Sequence, residues 1–75
     1  MLAHITLKLL RKEKNLTQKQ LAELLGLTER QYQRYEAGTV DPPISKVVWL
    51  ANYFDVSLDY LTGRTDEPVN PNVKK

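Results

Sequence analysis

Two helix-start signals stand eleven residues apart, at Thr17 and Thr28, each followed three residues later by a glutamine, Gln20 and Gln31. A threonine that accepts from the backbone of the third helical residue, with a glutamine there reaching back, satisfies two of the orphan N–H groups of a helix start. The spacing therefore predicts two short helices joined by a tight turn, and Gly26 lies where the turn needs positive φ. In QKQLAELLGLTERQYQRYEAG, Leu21, Leu24 and Leu25 give the first helix an apolar side, and Ala22 is small enough for a close crossing. On the second, Tyr32 and Tyr35 share one face at helical spacing. The other face reads Glu29, Arg30, Gln33 and Arg34, long side chains with hydrogen-bonding ends.

Three further helices are legible, and no alternating stretch is long enough for a strand, so the chain reads as all-α with five helices. The first is expected from Ala3 to Lys12, with Ala3, Leu7 and Leu10 inward and Asn15 at its exit. Pro43 suits the first position of the fourth helix, where Ile44, Val47, Val48, Leu50, Ala51 and Phe54 predict burial around much of the circumference. Ser57 caps a short fifth helix with Leu58 and Leu61 inward, ended by Gly63.

Seventy-five residues suit one domain, taken as residues 1–65, with 66–75, rich in Pro, Asn and charge, read as a disordered tail. Without cysteine there is neither a disulfide framework nor a thiolate metal site. A single histidine excludes a His–His metal pair, and no Gly-rich phosphate loop is present, so no catalytic residue, metal or cofactor is assigned. No apolar run reaches the roughly 18 residues of a membrane span, and no signal peptide is evident, so the expected location is the cytoplasm.

Net charge is only +2, but residues 1–35 carry seven Lys/Arg against three Asp/Glu and residues 36–75 carry four against six. The amino-terminal half is the candidate anion-facing side. A rigid helix bearing Glu, Arg and Gln can enter a DNA major groove, where Arg reads guanine, Gln adenine, and Glu accepts from cytosine.

At LKLLRKEKNLTQKQLAELLGLTERQYQRYEAG, then Pro42 and VVWLANYFDVSLDYLTG, the chain resembles the lambda-repressor-like, Cro-type helix-turn-helix family over about residues 3–63. The resemblance implies a sequence-specific DNA-binding transcriptional regulator, a bacterial or phage repressor whose third helix, about 28–37, enters the groove of double-stranded DNA. It implies base contacts from Glu29, Arg30, Gln33 and Arg34 and phosphate contacts from Thr17, Gln18, Lys19 and Gln31. Arg11 and Glu36 stand where relatives pair the first helix with the recognition helix; direct reach of Arg11 to phosphate is the alternative. A homodimer, at least on DNA, is implied near Leu58 and Tyr60.

Two features depart from the family pattern. Thr39, Val40 and Asp41 add no positive charge to the loop after the third helix, where relatives often carry Lys or Arg; Lys46 is one candidate to compensate. Leu2, Ile5 and Leu9 on the first helix, with Trp49 and Tyr53 on the fourth, are apolar where relatives are often polar. They fit a wider core or a surface for a protein partner, and the alternatives to a free-standing regulator are a protein-interaction module or the antitoxin of a toxin–antitoxin pair.

Overall fold

The computed structural model describes residues 2–65 and 67. The tail expectation for 66–75 lies outside them, Glu67 excepted. Five helices follow in order: α1 His4–Glu13, α2 Gln18–Leu25, α3 Glu29–Ala37, α4 Ile44–Phe54 and α5 Leu58–Leu61. No strand occurs among the described residues, and no helix is long and apolar enough to cross a membrane.

Both predicted capping boxes form. Thr17 accepts from the Gln20 backbone at 3.0 Å while Gln20 accepts from Thr17 N–H at 2.8 Å, and Thr28 and Gln31 repeat this at 3.1 and 2.9 Å. Ser57 caps α5 through the Tyr60 N–H. The residues before these caps, Leu16, Leu27 and Val56, and those at the fourth helical position, Leu21, Tyr32 and Leu61, all belong to or pack on one core. Those are the positions of a hydrophobic staple, so sequence fixes the entry angle of each capped helix as well as its start.

Every helix also ends alike. An N–H two or three residues past the last helical residue returns to a carbonyl five residues back: Leu16 to Arg11, Leu27 to Ala22, Thr39 to Arg34, Val56 to Ala51 and Arg64 to Asp59. The residue before each donor has positive φ, namely Asn15, Gly26, Gly38, Asp55 and Gly63. This arrangement satisfies orphan carbonyls and reverses the chain within a few residues, which lets helices of four to eleven residues pack at short range.

Leu7, Leu21, Tyr32, Leu50 and Leu61, one from each helix, are the largest fully buried side chains. Burying such a group stabilises by about 1.5–3 kcal/mol relative to exposure, so no helix is dispensable to the core. Ala22 is fully buried, as a close crossing requires.

Several inward assignments are corrected. Leu24 is 49% exposed: Leu21, Ala22 and Leu25 define the core side of α2, and the helical repeat turns Leu24 off its edge. Ile44, at 71%, and Val48 are exposed for the same reason, because α4 faces inward through Val47, Leu50, Ala51 and Phe54. Leu58 is exposed, and Val56 before the cap occupies the core instead. Helix α1 begins at His4, with Ala3 as its cap, and Pro43 is the cap of α4 rather than its first residue.

The apolar residues of α1 and α4 divide. Leu2 is buried, its N–H donating to the Asp41 carboxylate at 3.3 Å while Ala3 N–H donates to Leu61 C=O at 2.9 Å. Asp41, a departure from the family pattern, thus ties the loop after α3 to the amino terminus. Trp49 and Tyr53 are half-buried on the core and stack on each other at 4.9 Å, with the Lys14 ammonium 5.3 Å from the Tyr53 ring. Ile5 and Leu9 remain exposed, on the side of α1 opposite Leu7 and Leu10.

Candidate nucleic-acid interface

Helix α3 is fastened to the core through Tyr32, Tyr35 and Glu36, all buried, the two rings meeting edge to face at 6.3 Å. With those three inward, the turn of the helix carries Glu29, Arg30, Gln33 and Arg34 outward, and all four are exposed. Arg30 and Arg34 are successive on one line of the helix surface. The ion pairs among the described residues are Arg11–Glu36 and Arg64–Asp59, so neither arginine of this face is spent on a carboxylate.

Glu36 is the junction that holds the face. Its carboxylate receives Arg11 Nε at 2.6 Å and Nη2 at 3.3 Å, Gln18 Nε2 at 3.0 Å, and the Tyr32 hydroxyl. These four donors saturate the acceptor capacity of a carboxylate. The remaining Arg11 amine, Nη1, donates to Leu16 C=O at 2.6 Å. The guanidinium is therefore turned to Glu36 and the α1–α2 connection, and α1, α2 and α3 meet at one carboxylate.

Burial by itself would push the Glu36 carboxyl up, but hydrogen bonds from Arg11, Tyr32 and Gln18 outweigh it and hold the group below the usual carboxylate range. The hydrogen bond to Glu36 raises Arg11. Burial, reinforced by Glu36, pushes the Tyr32 hydroxyl far above its ordinary value, so it serves as a permanent donor.

At the start of α2, Gln18 does more than sit at a helix end. While it donates to Glu36, its oxygen accepts from Gln33 Nε2 at 3.2 Å, which joins the α2 terminus to the outer face of α3. Thr17 and Gln31 lie in the caps of α2 and α3, each with a hydrogen left to donate outward, and Lys19 is exposed beside Gln18. Lys46 is committed elsewhere: its ammonium donates to Leu25 C=O at 2.7 Å and closes the carboxyl end of α2. Leu58 is exposed and Tyr60 half-buried on the core.

Sequence reasoning did not find Tyr32 as a donor to Glu36, although the i, i+4 spacing carries that signal. Nor did it find the Gln18 link from Glu36 to Gln33, or the approach of His4 to Gly38, whose contacts join residues far apart in sequence. Among the described residues no cluster of His, Cys, Asp or Glu is arranged to hold a metal.

Two helices joined at a left-handed glycine, the second presenting a polar face away from a shared core, define a helix-turn-helix unit. The helix-turn-helix family model matches residues 7–61, and the chain belongs to that family. It is 46% identical over 69 residues to the uncharacterized HTH-type transcriptional regulator YobD of Bacillus subtilis, covering 92% of this chain and 61% of YobD. It is 39% identical over 59 residues to the cryptic phage CTXphi transcriptional repressor RstR of Vibrio cholerae, covering 76% of this chain and 53% of RstR. A crystal structure of a transcriptional regulator from Listeria innocua superposes with a TM-score of 0.78 at 39% identity, over 85% of this chain and 60% of that one. The chain thus spans between half and two thirds of the length of these relatives.

Proposed function

We propose that this chain is a sequence-specific DNA-binding transcriptional regulator acting as a repressor, with α3 lying in the major groove. The observation that carries the reading is the division of α3: Tyr32, Tyr35 and Glu36 are held in the core, while Glu29, Arg30, Gln33 and Arg34 stand exposed on the other side of the helix. Arg30 and Arg34 are base readers suited to guanine, and Glu29 and Gln33 border them. Thr17, Gln18, Lys19 and Gln31 lie at the amino ends of α2 and α3, where free N–H groups and the helix dipole favour phosphate. Relatives named as transcriptional regulators and as a phage repressor support the same reading.

Occupancy of an operator in the cytoplasm would exclude competing proteins, and pairing of two copies through exposed Leu58 and half-buried Tyr60 would set two α3 helices in successive major grooves, about 34 Å apart. Binding of the full chain to DNA selected from a random pool, followed over a salt series, tests the proposal. A defined site whose affinity falls steeply with salt supports it, since each neutralised phosphate contributes a log–log slope of about −0.9. Equal, weak affinity for every sequence would contradict it.

A further inference from the structure

The side-chain chain Glu36–Gln18–Gln33 has a direction, and the direction is chemical. A carboxylate only accepts, and Glu36 is kept ionised by the buried Arg11 beside it. Gln18 must therefore turn its amide nitrogen inward, to Glu36 Oε1 at 3.0 Å. Reversing that amide would set oxygen against oxygen. With that end of the amide turned to Glu36, the oxygen of Gln18 is the atom that faces the neighbouring helix, and Gln33 answers it with Nε2 at 3.2 Å. What Gln33 then has left is one N–H and its carbonyl oxygen.

In the major groove adenine presents one acceptor, N7, and one donor, the N6 amine, whereas guanine presents two acceptors, N7 and O6. An amide with one N–H and one oxygen free matches adenine on both atoms. Against guanine its oxygen faces O6, and both are left desolvated and unpaired.

We infer that Gln18, oriented by the buried Glu36 carboxylate, is a positioning residue that fixes the polarity of the Gln33 amide and makes Gln33 select adenine over guanine at the base pair it faces. The inference rests on the DNA-reading function proposed above. It assigns specificity to a residue on α2 that lies outside the recognition helix.

The experiment uses the full chain and its selected operator. Gln33→Ala locates the base pair, as the position whose preference it relaxes. The wild-type chain binds adenine there in preference to guanine by roughly 5- to 150-fold, and replacing that adenine with 7-deazaadenine, which lacks the N7 acceptor, removes most of the advantage. Gln18→Ala frees the Gln33 amide and collapses the adenine-to-guanine ratio at this position, while preferences at positions read by Arg34 stay as they were.

Gln18→Lys is the sharper variant. An ammonium still donates to Glu36 but has no acceptor, so Gln33 must turn its oxygen toward it and present two N–H groups outward. The preference at this position then inverts to guanine. A merely structural Gln18 would not produce an inversion. Guanine preferred by the wild type, no position relaxed by Gln33→Ala, or a uniform loss over all sequences in Gln18→Ala with adenine still preferred in Gln18→Lys would each overturn the inference while leaving a specific operator in place. A chain with no preferred sequence would instead overturn the proposed function itself.

Discussion

Arg11 Nε lies 2.6 Å from Glu36 Oε2, with both side chains at or below 10% exposure, so the recognition helix is joined to α1 by an ion pair almost cut off from water. Such a pair gains little over a well-packed apolar substitute, but it is costly to break from one side. Its value here is orientation, since the same carboxylate also receives Gln18 and Tyr32.

Glu36→Gln is expected to lower stability by about 3 kcal/mol or more, because a buried guanidinium loses its anionic partner. Urea unfolding followed by circular dichroism measures it. An unchanged midpoint would show that the pair contributes nothing to the fold.

Acid should reveal the same group. The folded Glu36 carboxyl is held below the ordinary value, so its contribution is fully present above the unfolded pKa, about 4.3 for a glutamate, and is lost as pH falls through the folded value. Urea midpoints of the wild type and Glu36→Gln should therefore be widely separated at neutral pH and draw together below about pH 4. A gap that stayed constant through this range would contradict the assignment.

The helix geometry was legible because its signals are local. Thr17 with Gln20, Thr28 with Gln31, Ser57, Asn15, Gly26 and Gly63 each act on their own turn of backbone, and each is used as its type predicts. Leu24, Ile44, Val48 and Leu58 were misplaced because hydrophobicity alone does not say how wide the buried stripe of a short helix is. The polar face of α3 could be read from the sequence once Tyr32 and Tyr35 were turned inward. Lys46 on Leu25 C=O and Gln18 between Glu36 and Gln33 could not, because those contacts depend on how the helices cross.

Gly38 and Gly26 separate two costs that glycine avoids. Both have positive φ, at 78° and 74°, but a Cβ on Gly26 would meet nothing within 4 Å, whereas one on Gly38 would come within 2.8 Å of His4 Nδ1. Gly26→Ala should cost about 1–2 kcal/mol from backbone strain alone. Gly38→Ala should cost more, and His4→Ala should remove the excess but not the strain. Equal losses in the two single variants, by thermal or urea unfolding, would show that the imidazole yields freely.

Whether the exposed face of α3 reads base edges is decided by comparing wild type and Arg34→Ala on the selected operator and on the same operator altered one base pair at a time. Loss of about 1–3 kcal/mol on the preferred site, with preference relaxed at one base pair and intact elsewhere, is the predicted result. An Arg34→Ala chain that binds every sequence weaker by one common factor would contradict it.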